Sequence, residues 1–135
     1  MKLAADANVL LSALIGGQAK RVLIHPAVEE ILTTEVTLAE VQEYAVHLAL
    51  KRCLAVDAVL LAAATLPVTT VPRTSYLSCM VEARKRIGRR DPDDVELLAL
   101  AMQHGVPVWS NDSDFENVGV VWLTTASLLA ALDAK

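Results

Sequence analysis

Five carboxylates stand where chemistry would need them: Asp6, Glu40, Asp94, Asp112 and Asp114. Asp6 ends a short apolar run, Leu3-Ala4-Ala5, and a second apolar run with helical spacing follows at once. This is the pattern of a buried strand feeding a helix, with the acid at the strand's carboxyl end. Asp112 and Asp114 follow another apolar run, Val106 to Trp109, and Asp94 opens a helical pattern that reaches His104. Glu40 falls one or two turns into a long helical stretch. In open α/β sheets ligands sit beyond the carboxyl ends of the strands. Parallel strands would therefore bring Asp6 and Asp112 to one edge, and a loop wrapping to that edge would add Asp94.

Carboxylates gathered in one cleft repel one another, and some take up protons. A hard dication removes that cost. Mg²⁺ prefers oxygen ligands and works with substrate phosphates; it activates water, and a pair of ions can clamp an in-line phosphoryl displacement. The acids come without His or Cys partners, which points to Mg²⁺ or Mn²⁺ rather than zinc. His25, His47 and His104 have no ligand-like spacing. Each acid also has a purely structural alternative. Asp6 can end a strand in a turn, and Glu40 can close a capping box with Thr37 unless the helix starts at Thr34. Asp93 and Asp94 both suit a first helical turn, and Asp112 and Asp114 suit an Asx-type turn.

The elements that must position these acids alternate along the chain. Strands are predicted over Lys2–Ala5, Val28–Leu32, Val68–Val71, Val106–Trp109 and Val118–Leu123. Helices are predicted over Asn8–Ile15, Ala19–Ile24, from Thr33-Thr34 to about Lys51, Asp57–Leu66, Thr74–Ile87, from Asp91-Pro92-Asp93-Asp94 to His104, and Thr124–Ala134. In the long third helix Val36, Leu38, Val41, Tyr44, Ala45 and Leu48 share helical spacing. Gly105 suits a helix cap, and Thr124 or Thr125 an N-cap. Short apolar strands without alternation are those of a parallel sheet covered on both faces. The fold class is thus α/β, a short, mostly parallel sheet flanked by helices on both faces, with residues 1–135 forming one domain.

The chain is 54% hydrophobic, which excludes a disordered composition. Aromatics are only 4%, so Ala, Leu and Val must build the core. Its apolar runs are too short for a membrane span, Asp6 and Asn8 interrupt any signal-peptide core, and a cytoplasmic location is expected. Cys53 and Cys79 lack metal-type spacing and read as small buried hydrophobes. A net charge of −4 argues against wholesale electrostatic grip on nucleic acid, while leaving room for a local basic patch.

In series, these segments are familiar. Asp6-Ala7-Asn8-Val9-Leu10-Leu11-Ser12 resembles the opening of PIN-domain ribonucleases, and Thr37-Leu38-Ala39-Glu40-Val41 resembles their internal glutamate. Asp91-Pro92-Asp93-Asp94-Val95-Glu96-Leu97-Leu98-Ala99-Leu100-Ala101 is similar to their third acidic segment, and Val108-Trp109-Ser110-Asn111-Asp112-Ser113-Asp114-Phe115 to their fourth. The resemblance implies a three-layer PIN-like fold and cleavage of RNA with Mg²⁺ or Mn²⁺. Carried over by position, Asp6, Glu40, Asp94 and Asp112 form the acidic pocket, with Asp114 as a further ligand and Asn8 and Ser110 orienting them by hydrogen bonds. Asp94 is taken over Asp93 because it leads into Leu97-Leu98-Ala99 at the motif's spacing. Ser110 stands where the family often has Thr, which keeps the hydroxyl. In the branch typified by VapC toxins, such domains are homodimers held by an antitoxin, so a homodimer and an antitoxin partner are implied.

Arg84, Lys85, Arg86, Arg89 and Arg90 precede the third acidic segment and would form a basic rim for an RNA backbone, or simply a solvated helix face. With so few aromatics, base recognition by stacking is expected to be weak. Trp109 and Phe115 are read as core residues. The first reading is a metal-dependent endoribonuclease, the toxin of a toxin–antitoxin pair. The alternatives are a non-toxin RNA-processing nuclease, or a nucleic-acid or partner-binding module with little or no catalysis. A phosphate-transfer receiver domain would want adjacent acids after the first strand and a late lysine, and Ala4-Ala5-Asp6 and the region around Val121 supply neither.

Overall fold

The structure is a computed structural model and describes residues 1–88 and 94–134. Its strands are β1 (Lys2–Ala5), β2 (Glu30–Thr34), β3 (Thr69–Val71), β4 (Val108–Trp109) and β5 (Trp122–Leu123). Its α-helices among the described residues are α1 (Ala7–Leu14), α2 (Gln18–Leu23), α3 (Glu35–Lys51), α4 (Val56–Ala64), α5 (Met80–Ile87), α6 (Val95–His104) and α7 (Thr125–Asp133). The strands form one five-stranded sheet in the order β3-β2-β1-β4-β5. Every pairing is parallel, with Leu3 opposite Ile31, Ala4 opposite Leu32 and Val108, and Ala5 opposite Trp109. The expected α/β class with a parallel sheet is what the chain adopts.

Strand side chains alternate between faces, and two apolar layers follow. Leu3, Ala5, Ile31 and Trp109 pack with residues of α1, α2, α3, α4 and α7. Ala4, Leu32, Val71 and Val108 pack with residues of α5 and α6, together with Tyr76, Phe115 and Val118. Trp109 and Phe115 are fully buried core residues, as their sequence context suggests. Trp109 keeps its indole N–H satisfied by donating to Thr125 Oγ1 at 2.9 Å. Small residues such as Ala45, Ala49 and Ala63 line the first layer and let helices sit close to one another in a core with few aromatics.

Several boundaries move from those expected. The second strand runs two residues later than Val28–Leu32, because β-branched Thr33 and Thr34 extend the sheet. Thr33 Oγ1 donates to Ala5 O at 3.1 Å, and Thr34 then caps α3 by accepting from Thr37 N–H at 2.9 Å. The predicted helix 74–87 is instead two 3₁₀ turns, Arg73–Ser75 and Leu77–Cys79, ahead of α5. There Ser75 and Ser78 turn their hydroxyls to His104 and Gln103 of α6, while Tyr76 is buried between them. The last strand shrinks to Trp122–Leu123, and Gly119, inside the expected Val118–Leu123, takes φ of 88°, away from the extended region. Gly105 ends α6 at φ 62°, as its position suggests. Only one cysteine reaches the core: Cys79 is half-buried and packs against the second apolar layer, its thiol donating to Gln103, whereas Cys53 is exposed at φ 54° after α3.

Candidate metal centre

The order of the strands places a switch point at the middle of the sheet. From β1 the chain steps outward through β2 and β3, then returns across β1 to β4 and β5. The carboxyl ends of β1 and β4 therefore lie side by side where the winding reverses, the place where such sheets bind ligands. Asp6 follows β1 directly, and its backbone N–H donates to Trp109 O at 3.3 Å. Ser110 follows β4 directly, and its N–H donates to Leu123 O at 3.1 Å.

Asp6 is buried, at 5% exposure. It is the N-cap of α1, one carboxylate oxygen accepting from Val9 N–H at 3.0 Å and the other from the Ser110 hydroxyl. Burial holds its carboxyl above the ordinary range, and the Asp112 charge adds to that; the bonds from Ser110 and from the Val9 and Asn8 amides oppose it. The net result is a carboxylate whose negative charge the fold tolerates poorly. Ser110, itself fully buried, relays this acid to the next: its Oγ accepts from Asp112 N–H at 3.0 Å.

Asp112 in turn caps the 3₁₀ turn Ser113–Phe115, its Oδ1 accepting from Asp114 N–H at 3.0 Å. The Asx-type turn considered for this segment is therefore present, and it is the device that sets Asp112 and Asp114 beside each other. Asn111 anchors the same loop from behind by accepting from Thr125 N–H at 2.9 Å, and Trp122 donates to Ser110 O at 2.8 Å. Asp94 precedes α6 and makes no side-chain capping bond to it. Asp94, Asp112 and Asp114 each offer an oxygen, and the three atoms lie within 4.8 Å of one another. All three residues are partly exposed, so the cluster is open to solvent and to a ligand.

Of the other residues singled out in the sequence, Glu40 is half-buried on α3 and faces Asn8 across a cleft between α1 and α3. Because α3 begins after Thr34, Glu40 lies beyond its first turn, and the Thr37–Glu40 capping box is not used. Asn8 acts on Asp6 through its main-chain amide. Arg84 is exposed and lines an open groove with Val81, Lys85 and Gly88. Arg86 is engaged within the fold, bonded to Glu82 and, at 3.0 Å, to Val118 O. Asp93, Arg89 and Arg90 lie outside the described residues. Two features went unread in the sequence. Asn111 sits inside the fourth acidic segment, where its spacing to Thr125 gives no signal. Tyr44 shares helical spacing with the apolar positions of α3, yet it is 47% exposed and lines the cleft beside Glu40.

Whether these residues suit a dication can be judged from the donor set. It is all carboxylate, the choice of Mg²⁺ and Mn²⁺ rather than of softer metals. Oxygens sharing one ion at about 2.1 Å lie roughly 3–4 Å apart, so the cluster needs only small side-chain movements to close on one. The carboxyl of Asp6 beside it is raised chiefly by its burial and to a smaller extent by the Asp112 charge, and a dication would offset both. The residues fit the ion.

No curated protein matches the chain by sequence. Solved structures share its fold at low identity. The VapBC2 structure from Rickettsia felis, bound to a DNA fragment from its promoter, is 14% identical, with a TM-score of 0.71 over 92% of this chain and 98% of that one. A toxin–antitoxin complex from Klebsiella pneumoniae is 20% identical, with a TM-score of 0.66 over 91% and 97%. The sarcin-ricin-loop-cleaving toxin VapC20 from Mycobacterium tuberculosis is 20% identical, with a TM-score of 0.61 over 88% and 96%. The family described as the PIN domain matches residues 5–133, from the end of β1 to the end of α7. The chain belongs to the PIN-domain family.

Proposed function

We propose that this protein is a divalent-metal-dependent endoribonuclease and the toxin of a toxin–antitoxin pair. The observation that carries the reading is the convergence of Asp94, Asp112 and Asp114 within 4.8 Å at the sheet's switch point, beside a buried Asp6. A Mg²⁺ or Mn²⁺ ion bound there would supply Lewis-acid stabilisation of a phosphodiester and a water of lowered pKa. Asp6, Asp94, Asp112 and Asp114 are the residues to hold it. Ser110 orients Asp6 and Asp112 together, through one hydroxyl that donates to the first and accepts from the second. Glu40, half-buried and lining the α1–α3 cleft, is the group to accept the proton of the attacking water. Exposed Arg84 and Lys85 would hold the RNA backbone in a salt-dependent manner, with Arg89 and Arg90 adjoining them in sequence. The antitoxin partner is inferred from the toxin–antitoxin complex that shares the fold; a homodimer and a cytoplasmic location are part of the same proposal. No helix among the described residues is long and apolar enough to cross a membrane.

The test is cleavage of RNA by purified protein with Mg²⁺ or Mn²⁺. Wild type is expected to cut, EDTA to stop it, and Asp6→Asn to lose measurable cleavage; induction of wild type but not of Asp6→Asn should arrest growth of a bacterial host. Cleavage that is equal in both proteins and indifferent to EDTA would reject the nuclease centre. Cleavage without growth arrest would leave a non-toxin processing nuclease. Absence of both cleavage and metal binding by calorimetry would favour the binding module.

A further inference from the structure

The cleft between α1 and α3 has features that the acidic centre does not use. Asn8 and Leu11 of α1 face Glu40, Tyr44, His47 and Lys51 of α3 across a volume of about 320 Å³. The α3 residues follow one another at four, three and four positions, so they lie along one helix face. At 1.5 Å per residue that face is a track about 16 Å long, starting at Glu40 and ending at Lys51. The core side of the same helix is served by Val41, Ala45 and Ala49. Tyr44 lies off that buried side, and it stands 47% exposed in a chain with few aromatic residues. His47 braces it: the rings are 6.0 Å apart and tilted by 46°, a favourable aromatic contact. Lys51 has no ion-pair partner among the described residues, although the chain is acidic overall.

We propose that this cleft is a stacking subsite for single-stranded RNA. The exposed face of Tyr44, held by His47, takes a nucleobase flanking the phosphate at the acidic centre, and Lys51 takes a phosphate further along the strand. The inference rests on the reading of the chain as a ribonuclease. An aromatic face beside an uncommitted cation is what a nucleotide needs, since base stacking and backbone charge are the two sources of sequence-tolerant single-strand affinity. Its lining includes Glu40 and Asn8, and Asn8 stands two residues past Asp6. A strand that left the centre on the Asn8 side would meet the cleft. The sparse aromatics that argue against stacking across the whole chain do not argue against it here, where one ring suffices.

The experiment uses RNA decamers carrying a single 2-aminopurine at each position in turn, added to the full chain in EDTA so that nothing is cut. Wild type should quench the fluorophore at one or two positions, as stacking requires. Tyr44→Phe should keep that quench. Tyr44→Leu, which retains apolar bulk but no ring, should abolish it and weaken binding about tenfold, and where RNA is cleaved it should raise KM by a similar factor. Far-ultraviolet circular dichroism checks that each variant is folded. Equal quenching and affinity in Tyr44→Leu and wild type would overturn the subsite while leaving the nuclease reading intact. Loss of quench in a protein that never cleaves RNA would support the subsite and sink the nuclease. Protection of the cleft by a bound protein partner, with RNA affinity unchanged in Tyr44→Leu, would assign it to that partner and also overturn the inference.

Discussion

Asp6 performs two tasks that pull against each other. As N-cap it must accept the Val9 amide, and as a buried acid it must carry charge in a place that disfavours charge. Its folded-state pKa is raised above 3.8, chiefly by burial and further by Asp112. A group shifted this way supports the fold fully below its unfolded value, and that support is lost as pH rises through the folded value. At neutral pH the metal-free protein thus bears a cost at Asp6. Asn caps helices as well as Asp does and carries no charge. Asp6→Asn is accordingly expected to be at least as stable as wild type in EDTA at pH 7, with the advantage shrinking on acidification as Asp6 protonates. Urea denaturation of both proteins across that pH range checks this. A variant less stable than wild type at pH 7 by more than the ~1 kcal/mol worth of a cap would mean that the carboxylate is held by stabilising bonds rather than strained.

At the scale of elements, the site depends on where each helix begins. Thr34 ends β2 and caps α3, and that start fixes which turn carries Glu40 and which face carries Tyr44. Replacing Thr34 with Ala removes the bond to Thr37 N–H and should cost about 1 kcal/mol. Thermal unfolding would register the loss; an unchanged midpoint would show that packing alone places the helix. The same residue shows why the sequence is only partly readable. Thr33 and Thr34 suit both a strand and a helix start, and the choice is made by the Thr33 hydroxyl reaching Ala5 O on the neighbouring strand, a contact remote in sequence. Asp6, by contrast, is legible because strand, cap and helix are contiguous, and Gly105 because a left-handed cap is a local event. The two 3₁₀ turns before α5 were hidden because Ser75 and Ser78 bond to α6, which no local pattern announces. Arg86 looked like part of a basic run; its bond to Val118 O and the place its guanidinium takes against Gly119 make it a tie between α5 and the loop before β5. At Gly119 an added Cβ would collide with the Arg86 guanidinium, which no charge pattern could have revealed.

For the molecule as a whole, the acids are spread from the first strand to the last loop, and only the fold brings them together. Asp6 follows β1, Asp94 stands before α6, and Asp112 and Asp114 follow β4. An ion held among them would therefore join the two halves of the sheet across its switch point, and its binding energy would appear as stability of the whole fold rather than of one loop. Because a ligand that binds only the folded state stabilises it by RT ln(1 + [L]/Kd), an ion at about one hundred times its Kd should contribute about 2.7 kcal/mol. For a chain of this size that corresponds to a rise in Tm of several degrees. Asp112→Asn removes one donor while keeping an oxygen for the Asp114 amide, so the turn should survive and the metal-dependent rise should collapse. Without metal the same change relieves repulsion with Asp6, so its Tm in EDTA should match or exceed that of wild type. Thermal melts of both proteins in EDTA and in MgCl₂, with NaCl matched for ionic strength, separate this from general screening. Equal Mg²⁺ shifts in wild type and Asp112→Asn would place the ion elsewhere, and no shift in either would leave the carboxylates as a repulsive cluster that the rest of the fold simply tolerates.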